Sequence, residues 1–198
     1  MFSTVLRLFR FGRRPRGTRY LSAERRGHFF SWFSLQSDGE PKPAGGDTLF
    51  YFRPAGAAFH ALVHLEVRTR NTDRIVGSTF CVDRDFVDGM QSSFARDIVA
   101  SFLSWALQDQ DAKPKNILIE NIRNMSAANE LIIMRARSTP VKPPEDRSGG
   151  YAVFTGRSEH ATLVLGDTKL TLSNGASDDR SLKSLTLKVF YKSDEQSP

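Results

Sequence analysis

The sequence predicts an α+β domain in which a twisted, mostly antiparallel sheet or pair of sheets, of about eight to nine strands, packs around one long helix near residues 85–108. Three observations predict it. Between Asp83 and Gln108 the residues Phe86, Val87, Met90, Phe94, Ile98, Phe102 and Trp105 return at three- and four-residue steps, while Gly89, Ser93, Arg96, Asp97, Ala100, Ser104 and Gln108 line the other side. Such a stripe is an amphipathic helix that needs one face covered. Around it, short apolar segments alternate with a period of two, and clusters of Gly, Pro, Asn and Asp separate them.

Within residues 1–11, Phe2, Val5, Leu6 and Phe9 share a helical face flanked by Arg7 and Arg10, and Gly12 and Pro15 end it. Residues 28–35 (HFFSWFSL) suit a first strand or a short buried helix. Residues 37–47 (SDGEPKPAGGD) read as an exposed loop, and 48–53 (TLFYFR) as a short strand stopped by Pro54 and Gly56. From Phe59 to Val67 the set Phe59, Ala61, Val63, Leu65, Val67 alternates with His60, Leu62, His64, Glu66 and Arg68, the pattern of a strand with one buried face. Asn71-Thr72-Asp73 turns the chain into a partner strand over 75–82, with Val76, Phe80 and Val82 on one side. This hairpin feeds the helix. Asp83 or Asp85 can cap it, Asp88 adds favourable charge in its first turn, and Pro114 limits its extension.

Beyond the helix, residues 116–120 (NILIE), 130–136 (ELIIMRA) and 151–155 read as strands, with a long Pro- and Gly-rich loop over 139–150. Residues 162–165 and 168–172 form a hairpin about Gly166-Asp167, and Leu185, Leu187, Val189 and Tyr191 share one face of a last strand. The organisation that follows is a basic arm over 1–27, a single domain over 28–192 and a disordered tail over 193–198.

At 198 residues, 39% hydrophobic and 25% charged, the composition is that of one globular domain with an arm. No apolar run is long enough to span a bilayer. A single cysteine, Cys81, excludes an internal disulfide and a Cys-based zinc site. The net charge of +6 is unevenly placed: residues 1–26 hold eight arginines against Glu24, 8 − 1 = +7, leaving 6 − 7 = −1 elsewhere. An Arg-rich, acid-poor, amphipathic N-terminus has the composition of a mitochondrial transit segment, with a cleavage neighbourhood near Arg19-Tyr20-Leu21-Ser22. The alternative is a retained basic arm that contacts phosphate or lipid in a cytoplasmic protein.

His60, His64 and Glu66 invite a metal reading, but on a strand His60 and His64 stand about 13 Å apart, so a solvated strand face is expected. Cys81 precedes a helix start, where the dipole favours a thiolate, yet no residue is assigned as its base and packing accounts for it. Neither Gly-x-Gly-x-x-Gly, nor a phosphate-loop Gly-Lys-Ser/Thr, nor Gly-x-Ser-x-Gly occurs. A non-enzyme without cofactor or metal is therefore expected. For nucleic acid, Arg68, Arg70 and Arg74 gather at a hairpin tip, Arg123, Arg135 and Arg137 are expected on neighbouring strands, and Trp32, Tyr51 and Phe52 offer stacking surfaces.

The unit from Phe59 to Leu107, a strand (FHALVHLEV), hairpin, strand and helix ending in FLSWAL, resembles the repeating strand–hairpin–helix half of Whirly-type proteins, about a quarter of the chain. These are organellar single-stranded nucleic-acid binders, among them mitochondrial RNA-binding proteins, so the resemblance implies a sheet that faces a single strand. The function expected from all of this is a non-enzymatic accessory protein of the mitochondrial matrix, a β-rich binding module that meets protein partners, and RNA among its ligands, in a multi-subunit assembly. Two alternatives stand beside it: a single-stranded RNA or DNA binder using the sheet face, and an enzyme of unrecognised type using Cys81 or the histidines. Self-association is compatible with each.

Overall fold

The alternation around Leu65 places that segment in the middle of a sheet. In the computed structural model, which describes residues 18–88, 92–110, 113–134 (124–134 by their helical path only), 150–176 and 183–191, β4 (Val63–Arg70) and β5 (Arg74–Asp83) form an antiparallel hairpin. Val63, Leu65 and Val67 sit opposite Val82, Phe80 and Ser78, all turned inward and buried. A bulge follows: Arg68 pairs with Gly77 but Thr69 with Ile75, so Val76 is the extra residue and both Ile75 and Val76 are buried. On one side β3 (Asp47–Pro54) pairs with β4, and both β1 (Leu35–Ser37) and β2 (Lys42–Ala44) pair with β3. On the other side β5 pairs with β8 (Lys183–Tyr191), then β7 (Thr168–Ala176), then β6 (His160–Leu165). The result is one open eight-stranded antiparallel sheet, ordered β1-β3-β4-β5-β8-β7-β6 with β2 beside β3.

The inward face carries Phe52, Leu65, Phe80, Leu172, Leu187 and Val189, and the helices gather over it. These are α1 (Leu21–Glu24), α2 (His28–Trp32), α3 (Ala57–His60), α4 (Arg84–Asp88), α5 (Ser92–Ala106), α6 (Lys113–Met134) and α7 (Gly150–Phe154). Aromatic rings join the layers: Phe80 of the sheet stacks on Phe102 at 4.6 Å, and Phe29 stacks on Trp105 at 5.0 Å. Asp83 Oδ1 accepts from the Phe86 backbone N–H at 3.0 Å, the cap expected of it. The hairpin about Gly166-Asp167 and the final strand with Leu185, Leu187 and Val189 inward also stand as the sequence predicts.

Several expected strands are helical instead. Residues 116–120 and 130–134 belong to α6, at 22 residues the longest of the described helices, because Leu118, Ile119 and Ile122 bury themselves at a helical step that a five-residue run hides. Residues 28–32 take the second of the two readings open to them, the short buried helix α2, which buries Phe29, Phe30 and Phe33 together where alternation would have split them between two faces. Residues 150–154 are likewise a short helix, held where Arg84 Nη1 donates to Phe154 O at 2.8 Å and Asn174 Nδ2 to Val153 O at 2.7 Å. Strand β4 begins at Val63, after α3. The helix expected over 85–108 is described as α4 and α5, and its stripe is one contributor to a layer of several helices. Within the expected loop 37–47, Gly45 and Gly46, at φ 59° and 87°, make the two-residue turn that closes β2 onto β3. The arm helix, the loop 139–149 and the tail 193–198 lie outside the described residues.

Residues 19–27, read from the sequence as part of the arm, pack on the domain. Leu21 is buried in the common core, its N–H donates to Asp73 O at 2.9 Å, and Ser22 Oγ donates to Asp73 Oδ2 at 2.6 Å. Arg19 lies over the Trp105 ring at 4.6 Å, donating from Nε to Glu24 Oε1 at 2.9 Å and from Nη1 to Tyr191 Oη at 2.9 Å. Glu24 also accepts from Trp105 Nε1 at 2.7 Å and Gln108 Nε2 at 3.2 Å, and Tyr191 Oη donates to Ala106 O at 2.7 Å. The cluster pins the entering chain to the end of α5 and to β8.

Candidate functional site

Among the described residues the helices cover one side of the sheet, and the residues between its core positions make a continuous outer surface. The strand register fixes their neighbours. One row runs Val164, Lys169, Phe190, Gly77, Arg68, Leu49, Lys42 across seven strands. The next runs Thr162, Thr171, Lys188, Thr79, Glu66, Tyr51. A third carries His160, Ser173, Thr186, Cys81 and His64. Phe190 is 44% exposed and lies over Gly77, where an added Cβ would meet Val189 O at 3.0 Å and the Phe190 ring at 3.5 Å. Glycine there lets the ring lie flat on the sheet.

Charge on this face is lopsided. Lys42, Arg53, Arg68, Arg70, Lys169 and Lys188 stand against Glu66 and, at the margin, Glu40, Asp38 and Asp47, the last two holding Arg53 (2.6 Å), Arg70 (2.8 Å) and Arg68 (3.9 Å). At the β2–β4 end, Asp38, Gly39, Glu40, Lys42, Tyr51 and His64 line a groove of ≈ 310 Å³. The Tyr51 ring meets His64 edge-on at 5.7 Å and carries the Lys42 ammonium over it at 5.4 Å. Burial first, and the Arg53 charge second, hold the His64 imidazole below its ordinary value against the opposing pull of Asp38, so the ring is neutral at pH 7.

The residues expected to bind nucleic acid are dispersed. Tyr51, Arg68 and Arg70 lie on the outer face, and Arg74 pairs with Arg70 at the hairpin tip. Phe52 is fully buried against Phe30, ring centroids 5.1 Å apart, since it is one residue out of phase with Tyr51. Trp32, 44% exposed, and Arg123, 3.5 Å from Ser104 Oγ, belong to the helical layer rather than to strands. Arg135 and Arg137 lie outside the described residues. Unnoticed in the sequence were Lys42, Arg53, Lys169, Lys188 and Phe190, although for Arg53, Lys169, Lys188 and Phe190 the alternation with inward strand neighbours marks them as outward.

His60 ends α3 and His64 points out from β4, so the two do not share a strand face. Cys81 stands directly opposite His64 in the register, its sulfur 3.7 Å from Thr186 Oγ1. Among the described residues no group of three or more His, Cys, Asp or Glu side chains could hold a metal ion, and no helix is long and apolar enough to cross a membrane.

The fold defines the class as an α+β protein with one open antiparallel sheet and several helices. Compared with known proteins, the chain matches no family model, no curated protein and no solved structure.

Proposed function

We propose that the chain is a non-enzymatic binding module of a larger ribonucleoprotein assembly, with single-stranded nucleic acid lying along the open face of its sheet. The observation that carries this reading is the face itself, where Arg68, Lys169 and Lys188 interleave with Tyr51 and Phe190 along the rows and meet Glu66 as the opposing charge there, with Asp47 at the margin 3.9 Å from Arg68. Backbone phosphates respond to local positive potential, and exposed rings stack bases of any sequence. The resemblance of residues 59–107 to Whirly-type proteins supports the same direction. Protein partners would join at β6, whose Val164 is 68% exposed and whose outer edge pairs with no other strand among the described residues, since a free strand edge is a template for strand addition. The five arginines of residues 1–17 suit delivery to the mitochondrial matrix, whereas Arg19 belongs to the packed domain.

The test is binding of labelled single-stranded RNA to the chain lacking residues 1–17, followed as salt is raised. Engagement of three phosphates by Arg68, Lys169 and Lys188 gives a slope of log K against log salt of about −2. Exchanging Lys169→Glu and Lys188→Glu together flattens that slope while the far-UV spectrum stays unchanged. Absence of binding at low salt overturns the reading.

A further inference from the structure

The geometry points to the groove at the β2–β4 end of the open face as a base pocket that takes guanine from a single strand. The inference rests on the open-face reading and adds what that reading leaves open, a sequence preference. Its volume of ≈ 310 Å³ lies at the small end of ligand sites, the scale of one nucleotide rather than a larger ligand. Its aromatic corner, Tyr51 with His64 edge-on, offers a surface for stacking, with a neutral imidazole beside it.

Charge separates this end of the face from the rest. Asp38 and Glu40 stand against Lys42 and the Arg53 that Asp38 binds, so the groove is balanced, whereas Arg68, Lys169 and Lys188 exceed Glu66 along the rows. A phosphate gains little in the balanced groove and more along the rows. A neutral base, its own phosphates directed toward the rows, fits the division.

The rim then selects among bases by hydrogen bonding. Asp38 Oδ2 is committed to Arg53 Nε at 2.6 Å. Glu40 is exposed, and its carboxylate forms no ion pair or side-chain hydrogen bond among the described residues. A carboxylate accepts two parallel N–H bonds with its two oxygens. Guanine alone of the four bases presents two adjacent donors, N1–H and N2–H, on its Watson–Crick edge, with O6 next to them as an acceptor. Lys42, displaced from the Tyr51 ring by the stacking base, is a donor on the same rim for O6.

The experiment uses the full chain and labelled oligouridine carrying one central guanine, inosine, adenine or cytosine. The expected result is about tenfold tighter binding of the guanine strand than of the adenine or cytosine strands, with inosine between because it lacks the N2 amino group. Glu40→Gln is expected to abolish the preference, so that the guanine strand binds no more tightly than the adenine or cytosine strands to the same variant. Equal binding of all four strands, or a guanine preference that survives Glu40→Gln, overturns the pocket and leaves the open-face reading intact. If none of the strands binds at low salt, the open-face reading fails and the pocket with it.

Discussion

Arg19→Met removes a cation that sits almost wholly inside the domain. The side chains of Arg19 and Glu24 are 8% and 16% exposed, and Glu24 is held below the ordinary carboxylate range although burial alone would raise it, because the hydrogen bond and charge of Arg19, with Trp105 and Gln108, outweigh the lost solvation. Methionine keeps most of the stem's contact with Trp105 but leaves the carboxylate without its counter-charge. Breaking a buried pair from one side costs about 3 kcal/mol at the lower end of its range, the right end here because Glu24 retains two donors. For a domain of this size that is a fall in Tm of about 6–12 °C. Thermal and urea unfolding measure it, and Glu24→Gln completes the cycle. The double variant is expected to be more stable than the sum of the two single losses by at least about 1 kcal/mol, since it leaves no charge stranded. A loss below about 1 kcal/mol for Arg19→Met, or strict additivity, refutes the reasoning. The same melts test the role of residues 18–27: a chain starting at residue 28, which also lacks Leu21, should melt well below one starting at residue 18.

Adjacent residues on β3 should behave oppositely: Phe52→Ala destabilises by about 3–5 kcal/mol through the cavity it leaves, whereas Tyr51→Ala leaves the urea midpoint nearly unchanged and weakens binding of single-stranded RNA. Similar stability losses for both would mean that the outer face is itself packed. Alkali supplies another check, because burial, against the opposing charge of Arg19, pushes the Tyr191 phenol up to about 12. A raised folded value means that its contribution is whole below the unfolded value near pH 10 and is lost as pH rises toward 12, about 2–3 kcal/mol over the window. Tyr191→Phe should show a shallower loss in urea melts across that range, and identical pH profiles would contradict the assignment.

The central hairpin was readable because each of its residues is decided by its own parity: Val63, Leu65 and Val67 go inward, and His64, Glu66 and Arg68 must then go outward. The same held for the hairpin at Gly166-Asp167 and for Leu185, Leu187 and Val189. Residues 116–120 and 151–155 failed for the opposite reason. An apolar run of five residues has too few positions to separate a period of two from one of 3.6, and burial against α5 and the β6–β7 hairpin decided for helix. Phe52 was misread as a stacking residue because an aromatic-rich strand does not announce which of its rings is outward until a partner strand is known.

What the sequence determined by itself was the class of fold, the concentration of basic charge near the N-terminus and the identity of the strongly alternating strands, all properties of neighbours along the chain. What only the tertiary structure decided was which neighbours exist across it. Lys42, Arg68, Lys169 and Phe190 are spread over four strands and nearly 150 positions, and they form one row because antiparallel pairing in the order β2-β3-β4-β5-β8-β7 sets them side by side. Arg19 likewise reads as one more arginine of a basic arm. It becomes part of the core because Glu24, Trp105 and Tyr191 converge on it, and a buried guanidinium is stable only where such partners meet.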